Sequence, residues 1–289
     1  MKRTLIITLA IVFLFASVTY AWMEGPEGHA AYLYPVVRIE AGQGVGSGTI
    51  LYSKLDADGE KYSTYVLTNH HVIADAIKIS DEWNTNLGKN EQVERRSPVF
   101  VEMFEYRNLS EPIGTRRVQA DIMIYSDHKK SEDMAVLKLR TETKAEHIAK
   151  LLPRDKAGQY FDFDPTVAVG CSRGLNPMPT DGMISRRNLL IRTFEYDMST
   201  ACIAAGNSGG AMFLAKTAEL IGIPSMVVLE GSFFGGAIEH MGIFIPIKRV
   251  YDFLEREDYS FLVDSSITEE EGLAARKERL DKLKMGNKD

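Results

Sequence analysis

Three short stretches of this chain hold the side-chain types that acyl transfer needs. Val66-Leu67-Thr68-Asn69-His70-His71-Val72-Ile73 is an apolar run ending in a histidine pair. Glu132-Asp133-Met134-Ala135-Val136-Leu137 sets an acid at the mouth of another apolar run. Gly206-Asn207-Ser208-Gly209-Gly210 encloses a serine among glycines, where a sharp turn can present the hydroxyl and aim backbone N–H groups at one point. A general base, a carboxylate that orients it and a hydroxyl nucleophile are the parts of a covalent hydrolase. The competing chemistry is a metal site at His70 and His71. No Asp, Glu or Cys ligand set with suitable spacing accompanies that pair, so no metal and no cofactor is expected.

The groups must be brought together from distant positions, and the surrounding pattern reads as all-β. Short β-branched and aromatic runs are broken by Gly, Asn, Asp and Ser. In the first half strands are expected over Leu33–Ile39, Ser47–Tyr52, Tyr62–Thr68, Pro98–Tyr106, Arg117–Tyr125 and Met134–Leu139. In the second they are expected over Thr166–Val169, Gly182–Tyr196, Gly210–Leu214, Leu220–Val228 and Gly242–Pro246. Two clusters of short strands joined once, through Thr141–Gln159, suggest two packed barrels. Residues 32–140 would form the first, with His71 and Asp133, and residues 160–258 the second, with Ser208. Val250, Phe253 and Leu254 fall on one face of a helix over Pro246–Asp258 that closes the second. Residues 259–289 read as a charged, solvated helical or frayed tail, or as a short partner-binding helix, beginning at a capping box formed by Thr268 and Glu271.

The chain has 289 residues, 45% hydrophobic and 26% charged, which suffices for a sizeable core and excludes a disordered or disulfide-stapled chain. Its 34 basic against 40 acidic residues give a net charge of -6, which argues against nucleic acid as a partner. Residues 1–21 open with Lys2 and Arg3, run apolar and end in small residues, the order of an export signal cut before Trp22. The alternative is an uncleaved anchor, which would make residues 4–21 the sole membrane attachment. Either way the remainder lies outside the cytosol, periplasmic or secreted.

With these motifs in place, the sequence resembles the chymotrypsin-like serine proteases of the HtrA/Deg type. Thr68-Asn69-His70-His71-Val72, Gly46-Ser47-Gly48-Thr49-Ile50, Asp133 to Leu139, Val167 to Gly170, Gly206 to Gly210, Glu219 to Ile223 and Gly242 to Ile247 carry the likeness in order. The resemblance implies two antiparallel six-stranded β-barrels with a C-terminal helix, and a Ser-His-Asp triad of Ser208, His71 and Asp133. His71 is chosen over His70 because it immediately precedes Val72. It further implies an oxyanion hole of Gly206 and Ser208 N–H groups, with Asn207 adding shape or a donor, and Gly170–Asn176 as the loop that orders it. Asn207 stands where digestive relatives carry an Asp, so no N-terminal activation cut is expected. The primary pocket would draw on Thr200, Cys202, Ile223 and Ser225. Cys202 replaces the acid of trypsin-like enzymes, which implies an apolar residue before the cut bond rather than Lys or Arg.

The chain departs from that pattern in three places. Its two cysteines, Cys171 and Cys202, form an even count in an exported chain and invite a disulfide, although the family pattern has no need of one. His71 and Asp133 are 62 positions apart, long enough for an inserted loop or an extended hairpin beside the substrate cleft, or for a tolerated surface insertion. Residues 259–289 are too few for a PDZ domain, so regulation through one is not carried over, and the oligomeric state is left open. The expected activity is that of an exported serine endopeptidase acting on protein or peptide substrates through an acyl-enzyme. The alternative is an idle two-barrel module that only binds peptides.

Overall fold

Strand alternation divides the first half of the chain between two interiors. In β3 (Tyr62–Thr68), Val66 points into one apolar cluster with Val37, Ile39 and Leu137, whereas Tyr65 and Leu67 point into another shared with Phe213, Ile221 and Phe244. Successive side chains of a strand face opposite sides, so these strands build the inside of one barrel and the seam with the next. Each such side chain, fully removed from water, contributes about 1.5–3 kcal/mol. The computed structural model describes residues 22–56, 58–85, 88–126, 132–229 and 237–286; the segment 1–21, read as an export signal, lies outside them.

In chain order, α1 (Gly25–Gly28) and a wider turn at His29–Leu33 lead into β1 (Val36–Ala41) and β2 (Gly44–Leu55), which precede β3. The one-turn helix α2 (His70–Ile73) follows, then β4 (Ile77–Asn84), β5 (Lys89–Arg96), β6 (Val99–Arg107), β7 (Glu111–Tyr125) and β8 (Ala135–Leu139). Six of these close an antiparallel barrel in the order β1-β2-β3-β8-β7-β6. The second half contributes β9 (Lys150–Leu151), β10 (Pro165–Gly170), β11 (Met178–Ile191), β12 (Phe194–Ser199), β13 (Ala211–Leu214), β14 (Glu219–Leu229) and β15 (Ala237–Pro246). The order β13-β10-β11-β12-β15-β14 with a β13–β14 pairing closes the second barrel, and β9 joins β14 in parallel. The expected two-barrel architecture is therefore present. Helix α3 (Ile247–Arg256) buries Val250, Phe253 and Leu254, as the spacing requires.

Two expectations change and one alternative is decided. The single strand expected over Gly182–Tyr196 is the β11–β12 hairpin, which reverses around Arg192 at φ 56°; no Gly or Asn-Gly marks that turn. Of the alternatives for the long gap after His71, the extended hairpin is the one present: β4 and β5 form a sheet of their own, closed at its base by Ser97 N–H donating to Ala76 O at 2.7 Å. Its strand limits were not legible because it buries little, with Ile79 and Trp83 exposed, so no core-facing side marks where each strand begins and ends. The tail is not simply solvated. Helix α4 (Glu269–Gly286) starts at the expected box, with Thr268 N–H donating to Glu271 Oε2 at 2.8 Å and Glu271 N–H to Thr268 Oγ1 at 3.2 Å.

The first turn of α4 docks on the first barrel. Glu269 Oε1 accepts from Tyr65 Oη at 2.6 Å and from Lys138 Nζ at 2.7 Å, beside an edge-to-face group of Tyr52, Tyr65 and Phe261. Burial acts to raise the Glu269 pKa, but hydrogen bonds from Lys138, Tyr65 and Ser63 carry it below the ordinary carboxylate value. Glu269→Ala leaves those donors unsatisfied and is expected to cost about 1–3 kcal/mol, read as a lower denaturation midpoint at pH 7. A lowered folded pKa contributes stability above the unfolded value and loses it as pH falls through the folded one. The gap between wild type and Glu269→Ala should accordingly be full at neutral pH and close in strong acid.

Candidate active site

Pairing between β3 and β8 brings His71 to Asp133. Thr68 lies opposite Ala135 in the antiparallel ladder, so the residues just past β3 meet those just before β8. Asp133 sits at φ 53°, a left-handed backbone that Asp tolerates because its short side chain bonds locally. Its buried carboxylate takes His71 N–H on Oδ1 at 2.9 Å and His71 Nδ1 on Oδ2 at 2.8 Å. That places the imidazole proton on Nδ1 and leaves Nε2 with its lone pair. Asn69 Nδ2 holds the Asp133 carbonyl at 2.8 Å. His70 turns the other way, buried with its ring 4.7 Å from that of Tyr125.

Ser225 completes the carboxylate and reaches the serine loop. Its hydroxyl donates to Asp133 Oδ2 at 2.8 Å, and its carbonyl accepts from Ser208 Oγ at 3.5 Å. Ser208, His71 and Asp133 are thus gathered at the seam between the barrels. Among the described residues the Ser208 hydroxyl makes no hydrogen bond to the His71 ring and is directed to Ser225 O instead; catalytic hydrogen bonds are often long or unmade in unliganded sites. The hydroxyl of Ser225, placed by sequence in a pocket wall, is turned onto Asp133 instead. Its signal was the position of a small polar residue within the apolar strand β14.

The glycines of the serine loop are required by close approach. A Cβ on Gly209, at φ 82°, would stand 2.2 Å from Thr68 Oγ1 and 2.3 Å from Ser47 O, and one on Gly206, at φ 101°, 2.4 Å from Cys171 O. The loop is held from both sides. Ser47 N–H donates to Ser208 O at 2.8 Å, Ser47 Oγ donates to Gly206 O at 2.6 Å, and Arg173 N–H donates to Ala205 O at 2.7 Å. In a trans peptide C=O and N–H point oppositely, so fixing the Ala205 carbonyl toward Arg173 turns Gly206 N–H to the other side. Among the described residues the N–H groups of Gly206 and Ser208 meet no acceptor. Asn207 is enclosed: its N–H is spent on Ala204 O at 3.0 Å, its side-chain oxygen accepts from Ser172, and among the described residues its Nδ2 is buried without a partner.

The remaining expected residues scatter. Thr200 Oγ1 accepts from Met183 N–H at 2.9 Å. Ile223 is fully buried in the second-barrel core. Cys202 is half-buried, its carbonyl accepting from Thr180 Oγ1 at 2.7 Å. No disulfide joins it to Cys171. The two are held by different partners, Cys171 by Ser47 of the first barrel and Cys202 by Thr180 of β11. Burial pushes the Cys171 thiol up to about 12.

Comparison with known proteins places this geometry in a family. A family model described as "Trypsin-like peptidase domain" matches residues 46–223. Over 208 residues the chain is 31% identical to the periplasmic pH-dependent serine endoprotease DegQ of Escherichia coli (strain K12), which takes in 71% of this chain and 35% of DegQ. Among solved structures, the HtrA-type protease AlgWS227A with tripeptide aligns at a TM-score of 0.55 and 21% identity, covering 84% of this chain and 65% of that one. The chain spans about a third of the one relative and just under two thirds of the other, and the structural likeness speaks for the fold. The family match covers the Ser47 strand, the His71 turn, Asp133 and the serine loop, and the chain belongs to the trypsin-like peptidase domain family.

Proposed function

We propose that this chain is an exported serine endopeptidase that hydrolyses peptide bonds through Ser208, His71 and Asp133. The observation that carries the reading is the His71 Nδ1 to Asp133 Oδ2 bond of 2.8 Å, joined through Ser225 to the hydroxyl of Ser208. In this reading Ser208 Oγ attacks the scissile carbonyl carbon while His71 Nε2 takes its proton. Asp133 stabilises the imidazolium, and the N–H groups of Gly206 and Ser208 receive the oxyanion. Collapse of the tetrahedral intermediate breaks the C–N bond, and His71 hands its proton to the leaving amine. Water, deprotonated by His71, then releases the acyl group from Ser208. No cofactor takes part.

A peptide substrate agrees with the family, with the serine endoprotease activity in the name of the Escherichia coli relative and with the tripeptide that accompanies the structural neighbour. Export agrees with the order of charged, apolar and small residues in 1–21 and with the periplasmic setting in the same relative's name. The lack of an acid at Cys202 favours an apolar residue before the cleaved bond.

The deciding experiment treats protein lacking residues 1–21 with a fluorophosphonate and locates the adduct by mass spectrometry. Labelling at Ser208 in wild type and its absence in Ser208→Ala are expected; a folded wild type that stays unlabelled and still captures peptides would make it a binding module. Ser225→Ala removes one hydrogen bond from the Asp133 carboxylate, worth about 1.5–3 kcal/mol for a charged acceptor. It is expected to lower kcat by about tenfold or more with KM within twofold, measured on a peptide ester.

A further inference from the structure

The first barrel presents a row of three polar side chains to the loop that governs Gly206. Ser47 lies opposite Arg38 in the β1–β2 ladder, and Arg38 lies opposite Glu102 in the β1–β6 ladder. Directly opposed residues share one face of a sheet. Here that face is the outer one, since Val37 and Ile39 on either side of Arg38 point into the barrel. The loop Cys171–Gly174 lies across the row and is held at both ends. Cys171 N–H donates to Ser47 Oγ at 2.7 Å, and Arg38 Nη1 donates to Gly174 O at 2.6 Å. Arg38 is itself fixed by Nη2 donating to the Glu102 carboxylate, which is almost wholly buried, with its side chain 9% exposed.

Between the two ends sits Arg173, at φ 53°, whose N–H holds the Ala205 carbonyl. A left-handed backbone at a residue other than glycine is strained and persists only where its surroundings impose it. Here they do, because Cys171 and Gly174 are tied to different strands of the other barrel. Release of the Gly174 end would let Arg173 relax, its N–H would leave Ala205 O, and the Ala205–Gly206 peptide would be able to turn over. Gly206 N–H would then point away from the reacting carbonyl.

We propose that Arg38, clamped by Glu102, is a positioning residue for the reaction: it fixes the Cys171–Gly174 loop in the one arrangement that leaves Gly206 N–H available to the oxyanion. The proposal rests on the peptidase reading and adds a part of the first barrel lying before the residues 46–223 of the family match. Loss of a single oxyanion donor costs about 10² to 10³ in kcat. Activity scales with the competent fraction, so a loop ordered a tenth of the time lowers kcat about tenfold and leaves substrate affinity nearly unchanged.

The test is the pair Arg38→Met with Glu102→Leu, which removes both charges together and avoids a buried unpaired one. Peptide hydrolysis is measured alongside hydrogen exchange of the segment 171–175. The expected result is a kcat lower by at least about tenfold with KM within twofold, and exchange at 171–175 faster by at least about tenfold. Unchanged exchange overturns the proposal, and so does faster exchange with unchanged kcat. If the pair does not fold, Arg38→Lys retains a cation beside Glu102 but lacks the second arm of the guanidinium fork. The same losses are expected there, and wild-type behaviour would overturn the proposal. A wild type with neither turnover nor a Ser208 adduct would sink the peptidase reading, while exchange would still decide whether Arg38 holds the loop.

Discussion

The fold depends on how closely the serine loop approaches the first barrel. Gly209 has Ser47 and Thr68 where a side chain would begin, and Gly206 has the backbone of Cys171. At such distances peptides can satisfy one another directly: Ser47 alone contacts Ser208, Gly206, Cys171 and Thr68 through its N–H, hydroxyl and carbonyl. Buried polar groups without partners are costly, so the two barrels cannot slide without breaking several bonds at once. The geometry of the proposed nucleophile is thereby tied to the packing of the whole molecule.

That packing is apolar on both faces of the strands that matter. β3 gives Val66 to the first barrel's interior and Tyr65 and Leu67 to the seam, and β8 divides Leu137 and Val136 in the same way. The seam therefore forms from strands already stiffened by a barrel, and His71 and Asp133 emerge from the ends of two such strands. The C-terminal elements extend the arrangement. Phe261 enters the aromatic group around Tyr65, and Glu269 binds a tyrosine and a lysine of the first barrel, so a chain that finishes the second barrel returns to clasp the first.

Much of this was legible because strong local patterns sit where the fold is regular. Apolar runs with turn residues between them located most barrel strands, helical spacing located α3, and Thr268 with Glu271 marked the start of α4. The serine, histidine and acid motifs stood out because few arrangements of those residue types have another use. What escaped depends on contacts between distant segments or on strands with no buried face. The β4–β5 hairpin has no buried face to mark the limits of its strands, and the turn at Arg192 uses a residue with no turn preference. The bond from Ser225 to Asp133 and the reach of Arg38 to Gly174 exist only once the opposite barrel is in place. The question of a disulfide between Cys171 and Cys202, which the sequence leaves open, has the same origin, since an even count says nothing about where the fold sets the two residues.

Cys171 gives the seam a further property. A thiol pushed up to about 12 stays protonated at neutral pH, and the thiolate is the reactive form. With its N–H on Ser47 and its side chain fully buried, it is chemically silent while the loop is seated. Modification has to await the rare moments when the loop lifts, so the rate at which Cys171 takes up an alkylating reagent is a clock for the breathing of the same seam from which the serine loop hangs.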